Sequence, residues 1–288
     1  MEVIQRSTEF LARKGVDSPR LQAELLLAQL LKLRRMELYL NFERVLTPPE
    51  QDGFRELIRR RGQREPLQQI LGSTSFCGLE IEVNRSVLVP RPESELLAEC
   101  GWQFLNQRAA SGSPGTKALD FGTGSGCLAV ALAVHCPATR VCAVDLLPEA
   151  LDVARLNAAR HRVAERIEFF QGDGFGALPE DSRFDLITSN PPYIPTGELG
   201  ALQPEVRDYE PREALDGGAD GLDYYRLLAR EAVHFLKPDG KLMLEFGDGH
   251  HEPLPELFRQ RNWVVERIME DYTHRPRILI ACPKTARS

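Results

Sequence analysis

The sequence predicts an α/β fold, a doubly wound and mostly parallel sheet preceded by a small helical domain. Three observations carry this. From Lys117 onward, strand-like and helix-like runs alternate. A glycine-rich turn, Gly122-Thr123-Gly124-Ser125-Gly126, joins the first of those strands to its helix. The first 75 residues read as helix alone. A length of 288 residues suits one large domain and one smaller one.

Within residues 1–75, Ser18-Pro19 offers a cap followed by proline at the first helical position. Leu21, Leu25, Ala28 and Leu31 then recur at helical spacing. Thr47-Pro48-Pro49-Glu50 is a capping box, opening a helix with Phe54, Leu57 and Ile58 on one face. No catalytic cluster lies here, so the region reads as a small helical bundle with an accessory or docking role. Residues 76–92 read as a β-hairpin linker. Leu79, Ile81 and Val83 alternate with charged residues, Asn84-Arg85 turns, and Val87 and Val89 resume. Pro90-Arg91-Pro92-Glu93 ends the hairpin and leads into a helix through Leu96, Leu97 and Trp102. The remainder, 93–288, is the sheet domain. Its strands are expected at 118–121, 140–145, 167–171, 185–189, 241–246, 264–269 and 278–282. Helices are expected at 125–133, 148–159 and 224–236, with a further one between the fifth and sixth strands. A long irregular segment spans 190–222.

Composition excludes several classes. Hydrophobic residues make up 42% and charged residues 27%, ordinary values for a globular chain. No apolar run approaches the roughly 20 residues of a membrane helix, and the N-terminus has no signal-peptide core, so the protein is expected in the cytoplasm, away from membranes. Six scattered cysteines form no C-x-x-C pair, which argues against a zinc site or a disulfide framework. Net charge is −6, divided as +3 over residues 1–75 and −9 over the rest. That acidic balance disfavours a dedicated nucleic-acid binder. His250, His251 and His274 lack metal-ligand spacing and read as surface or loop histidines.

The glycine turn lets backbone approach a ligand closely. Asp145 ends the next strand, 19 residues after Gly126, where an acidic residue accepts from ribose hydroxyls in this architecture. S-adenosylmethionine (SAM) and a dinucleotide both fit these features, because Gly124-x-Gly126-x-x-Ala129 also matches the dinucleotide pattern. Asp173, before Gly174 and after the third strand, is placed to accept from an adenine amino group or to cap a turn. The choice comes from Asn190-Pro191-Pro192-Tyr193, after the fourth strand. Two prolines cannot continue a central strand, so Asn190 stands at the strand's carboxyl end. A planar amide or exocyclic amine is a poor nucleophile. The Asn190 side-chain oxygen and the Pro191 carbonyl can each accept one of its N–H bonds, orienting the nitrogen and favouring the positive charge that develops on it. Tyr193 can stack on the planar group. This chemistry is methyl transfer from SAM to a planar nitrogen, and it calls for no metal.

The chain resembles the peptide chain release factor glutamine methyltransferases (the HemK/PrmC family) over nearly its whole length. Glu65-Pro66-Leu67-Gln68-Gln69-Ile70-Leu71-Gly72, Val87-Leu88-Val89-Pro90-Arg91-Pro92-Glu93 and Glu210-Pro211-x-x-Ala214-Leu215 carry the resemblance most specifically. Gly217-Gly218-x-Asp220-Gly221-Leu222 and the two motifs above add to it. The tetrapeptide alone is shared with adenine-N6 methyltransferases of DNA or RNA, which stand as the alternative. The resemblance implies a seven-stranded, Rossmann-like SAM-methyltransferase sheet behind an N-terminal helical domain. It implies methylation of the side-chain amide nitrogen (N5) of the glutamine in the Gly-Gly-Gln motif of class-I release factors, with S-adenosylhomocysteine as the other product. Gly122 to Gly126, Asp145, Asp173, Gly174 and Asn190 would bind the cofactor, and Asn190 to Tyr193 the glutamine. A monomer with no direct nucleic-acid partner is expected. The chain departs from the family pattern at Gly174, where many relatives carry an aromatic residue, at Asp248 to His251, and at His274, where relatives usually carry glycine.

Overall fold

The computed structural model describes residues 2–41, 43–112 and 115–284. The chain divides into two compact units. One comprises Met1–Ser73 with Leu202–Tyr209, the other Thr74–Ala201 with Glu210–Ser288.

The first unit contains α1 (Glu2–Arg13), α2 (Pro19–Leu31), α3 (Arg35–Leu40), α4 (Pro48–Gly62) and α5 (Leu67–Leu71). Leu11, Ala23, Leu26, Leu27, Phe54 and Ile58 form its core. The capping box of α4 is present: the Thr47 backbone N–H donates to Glu50 Oε2 at 2.9 Å. Two details of α2 differ from the sequence reading. Ser18 sits in the left-handed region (φ 46°), and its hydroxyl caps nothing. The buried stripe runs through Ala23, Leu26, Leu27 and Ala28, whereas Leu21 is exposed. With leucine or alanine at most positions of α2, spacing alone does not choose a face, and the neighbouring helices decide it. Glu205, from the Leu202–Tyr209 segment, is gripped by two guanidinium groups. Arg61 Nη2 donates to its Oε1 at 2.7 Å, and Arg64 donates to both oxygens at 2.6 Å.

The second unit opens with a two-stranded hairpin, β1 (Ser73–Phe76) and β2 (Leu79–Glu82). The expected linker hairpin over 76–92 is thus corrected. Its turn is Cys77-Gly78, both at positive φ, and Val87 and Val89 belong to no strand. Their alternation records burial, since Val83, Val87 and Val89 are all in the core without being paired.

After α6 (Pro92–Ala110) come β3 (Thr116–Phe121), α7 (Cys127–His135), β4 (Thr139–Asp145), α8 (Pro148–Arg160), β5 (Ile167–Gln171) and β6 (Phe184–Ser189). The short α9 (Pro204–Arg207), α10 (Asp223–Phe235), β7 (Leu236–Glu245), α11 (Pro253–Gln260), β8 (Trp263–Glu270) and β9 (Pro276–Pro283) complete the order. The main sheet has seven strands in the order β5-β4-β3-β6-β7-β9-β8. β3 to β7 are parallel, and β9 runs antiparallel to both neighbours. Neighbouring residues along a strand feed opposite cores: Ala118, Leu186 and Met243 join α6, α7 and α8 on one face, and Leu119, Ile187 and Leu244 join α10 and α11 on the other. Strand order reverses between β3 and β6, where the chain leaves in opposite directions across the sheet. At such a switch point a crevice opens at the carboxyl ends of the strands.

Candidate active site

The crevice is built from the two strands that meet at the switch point. β3 and β6 pair in register, Asp120 opposite Thr188, so the segments that follow them emerge side by side. Phe121 leads into the glycine turn, and Ser189 leads into the tetrapeptide. The Ser189 hydroxyl donates to the Phe121 carbonyl at 2.6 Å and ties the two exits together.

Backbone and one buried carboxylate set the shape of the glycine turn. The amides of Gly122 and Thr123 both donate to the Val144 carbonyl at 2.9 and 3.0 Å. Asp120 Oδ2 accepts from the Thr123 hydroxyl at 2.6 Å and from the Ala129 amide at 3.0 Å, joining the turn to the first turns of α7. Burial pushes the Asp120 carboxyl up to about 7, against the pull of those two donors. Asp120 was not singled out in the sequence, where it reads as one position of a buried strand. Gly126 caps α7 in the left-handed region (φ 77°), and a Cβ there would lie 2.9 Å from that of Ala154. By contrast, a Cβ on Gly122 or Gly124 would meet nothing within 4 Å, so their backbone faces open space.

That space is a cavity lined by Gly122, Thr123, Gly124, Ser125, Asp145, Asp173, Gly174, Asn190, Pro191 and Pro192. It gathers nearly every site residue named from sequence. Gly126 and Tyr193 are the two that do not line it. Asp145 ends β4 with Oδ2 accepting the Gly124 amide at 2.8 Å and Oδ1 the Leu147 amide at 3.0 Å. Burial raises its pKa, opposed by those amides. Asp173 is exposed and precedes a short 3₁₀ turn without capping it by its side chain, so its carboxylate is left for the cavity. Gly174 is at φ 62°, and a Cβ there would lie 3.3 Å from the Phe121 ring. Several cavity residues escaped the sequence reading, among them Arg91, Ser94, Phe121 and Tyr224. Phe121 supplies an apolar wall, and Tyr224, from the start of α10, lines the space near Asp145 and Asp173. Burial, and then the charges of Asp173 and Asp145, raise the pKa of the Tyr224 phenol. Its only sequence signal was a tyrosine opening a helix after a glycine-rich loop.

Tyr193 borders a second cavity with Arg91, Glu93, Glu245, Gly247, Asp248 and Arg277. Arg91 borders both cavities. A Cβ on Gly247 would sit 2.5 Å from Tyr193 Cδ2, and one on Gly221 would clash with the Tyr193 carbonyl oxygen. Both glycines are therefore required by close approach to the tetrapeptide. Beyond it, the Ile194 amide donates to the Leu215 carbonyl and the Gly217 amide to the Ile194 carbonyl, at 3.0 and 2.9 Å. Glu210, which begins the return of the long loop, is held by Arg91 Nη2 at 2.7 and 2.9 Å and by the Val89 amide at 3.3 Å.

The histidine reading needs one correction. His250 is buried, with its ring set edgewise against Tyr193 and Tyr225, so it packs behind the tetrapeptide and does not lie on the surface. His251 and His274 are exposed. His274 sits at φ 61°, the backbone conformation that favours glycine. Asp248 pairs with Arg277 at 2.8 Å and Arg275 at 3.4 Å.

Comparison with known proteins locates these features within a family. A model of the PrmC N-terminal domain matches residues 2–72, and one of the methyltransferase small domain matches residues 98–201. A release factor glutamine methyltransferase of Geobacter sulfurreducens is 48% identical over 257 residues, covering 89% of this chain and 87% of that protein. One from Chlorobaculum tepidum is 42% identical, covering 94% and 93%. Among solved structures, a methyltransferase from Pyrococcus furiosus superposes with a TM-score of 0.53 over 74% of this chain and 92% of its own. At 22% identity that likeness speaks for the fold alone.

Proposed function

The chain belongs to the release factor glutamine methyltransferases, and we propose that Asn190 and Pro191 hold the side-chain amide of a release factor's glutamine in the first cavity, beside bound SAM. The observation that carries this is the pairing of β3 with β6, which sets the glycine turn and the tetrapeptide side by side around one space.

The donor set fits SAM. Open backbone at Gly122 and Gly124 gives the methionine portion room for close approach. Each Asp145 oxygen accepts one amide and keeps a lone pair for a ribose hydroxyl. Asp173 can accept from the adenine amino group, with Tyr224 and Phe121 as flanking rings. SAM supplies an electrophilic methyl group on a sulfonium. The protein supplies position and charge. The Asn190 oxygen and the Pro191 carbonyl accept the two N–H bonds of the glutamine amide and turn its nitrogen toward the methyl group. These acceptors gain strength as positive charge develops on nitrogen, so they favour the transition state over the ground state. Tyr193, bordering the neighbouring cavity, offers an aromatic face to the incoming peptide.

The acceptor is the glutamine of the Gly-Gly-Gln motif of class-I release factors. The N-terminal helices assist in gripping that protein, in the cytoplasm, and the enzyme acts as a monomer. A base amine would have to be flipped out and its phosphates neutralised, for which the −9 charge of residues 76–288 is unsuited. The test is methyl transfer from labelled SAM to a purified release factor, beside a variant whose Gly-Gly-Gln glutamine is replaced. Label on the first alone supports the reading. Label on neither, with label on DNA or ribosomal RNA, would reject it.

A further inference from the structure

Asn190 has an amide with two chemically opposite ends, and only one suits the proposed role. Its oxygen accepts an N–H of the glutamine, whereas its NH₂ group would face another NH₂ group and align nothing. Something must therefore fix the rotation of this amide. Two buried side chains beside Asn190 are arranged to do so; Ser94 also lines the first cavity and Glu245 the second. Ser94, in the first turn of α6, places its hydroxyl 2.5 Å from Glu245 Oε2 at the end of β7, and Asn190 Nδ2 lies 3.1 Å from the same hydroxyl oxygen. Ser94 and Glu245 are 2% and 3% exposed, so water does not compete for these bonds.

We propose that Ser94 and Glu245 are positioning residues that select the reactive face of the Asn190 amide. This rests on the role given to Asn190 above. The polarity of the chain of bonds follows from donor and acceptor counts. An ionised carboxylate only accepts, so the single hydroxyl proton of Ser94 goes to Glu245. The Ser94 oxygen then has only lone pairs for Asn190, and the group turned toward it must be the NH₂. The Asn190 oxygen is left for the cavity. The Glu245 main chain is anchored as well, since its carbonyl accepts the Tyr225 hydroxyl at 2.9 Å.

The same chain of bonds has a second state. A protonated Glu245 can donate to Ser94, whose own proton is then free for Asn190, and the amide turns to receive it with its oxygen. Burial is the main influence on Glu245 and raises its carboxyl to about 7. The Ser94 hydroxyl, Arg277 and Arg91 oppose the shift, and Glu93 adds to it. Tyr193, Tyr225 and Asp248 also stand near Glu245. A raised pKa means that Glu245 is protonated below about pH 7 and ionised above it, so the productive face is selected on the alkaline side.

The experiment compares wild type with Asn190→Ala, Ser94→Ala and Glu245→Gln, reading SAM affinity by calorimetry and single-turnover methylation of a release factor between pH 5.5 and 8.5. At pH 8, Ser94→Ala should lower kcat about tenfold, as expected for one lost hydrogen bond, while SAM Kd stays within about twofold. Wild-type kcat should fall on the acid side with an inflection near the Glu245 value. Glu245→Gln, whose side-chain oxygen can still accept from Ser94 and no longer titrates, should lose that inflection. Wild-type kcat in Ser94→Ala beside an inactive Asn190→Ala would overturn the positioning role while leaving Asn190 its function. Full activity in Asn190→Ala would instead remove the reading on which this one rests. If Ser94→Ala fails to bind SAM, the pH profile of Glu245→Gln decides alone, and an unchanged inflection would overturn the proposal.

Discussion

The Gly124 amide donates to Asp145 Oδ2 at 2.8 Å, so the carboxylate expected to meet the ribose also fixes the loop expected to meet the rest of the cofactor. One side chain joins the ends of β3 and β4. Asp145→Ala should therefore weaken SAM binding by about 10–100-fold, as losing hydrogen bonds to a charged group implies, with kcat at saturating SAM much less affected. Calorimetry with SAM and with S-adenosylhomocysteine reads this directly, and unaltered affinity for both would remove Asp145 from the ribose site.

Asn190→Ala should show the opposite pattern. SAM affinity is expected within about twofold of wild type, whereas kcat should fall on the order of 100-fold, the scale for removing one preorganised group aimed at developing charge. Single-turnover methylation separates the two effects. Undiminished kcat would refute the acceptor role.

Gly247→Ala tests the seat of Tyr193. A Cβ there would overlap the ring at 2.5 Å from Cδ2, so the ring or the segment after β7 must shift. Overpacking of this kind costs roughly 1–3 kcal/mol. The expected result is a fall of about tenfold in kcat/KM for the release factor with little change in SAM Kd. A wild-type value would show that Tyr193 does not need this position.

Glu205→Ala tests the first unit. Burial alone would raise the pKa of Glu205, but the bonds from Arg64 and Arg61 outweigh it and the net shift is downward. Removing the carboxylate leaves the buried Arg61 guanidinium without that partner. A loss of about 2–3 kcal/mol is expected, below the range for a fully buried pair because Glu205 keeps some exposure. Thermal unfolding measures it, and an unchanged Tm would mean that Arg61 finds another acceptor.

Much of this was legible in the sequence because the signals were local. The glycine turn, Asp145 and the tetrapeptide each lie at or just beyond the end of a strand, and a parallel sheet carries all such segments to one edge. The capping box at Thr47 needed only four residues. What was missed depended on distance along the chain. Ser94 and Glu245 are separated by 151 residues and meet only because α6 packs behind the β6–β7 pair. His250 reads as a loop residue, and its burial comes from Tyr193 and Tyr225, which lie elsewhere in sequence. The hairpin was displaced because alternation at Val83, Val87 and Val89 reports a buried side without reporting a partner strand, while the turn itself, Cys77-Gly78, carries only one glycine.

The grouping of Leu202–Tyr209 with the N-terminal helices has a consequence for anyone who transplants domains among relatives. A chimera joined at residue 73 would bring foreign helices to a loop still encoded by the host gene, and Arg61 and Arg64 would face whatever that host carries in place of Glu205. The unit of exchange is two stretches of coding sequence, and they have to travel together.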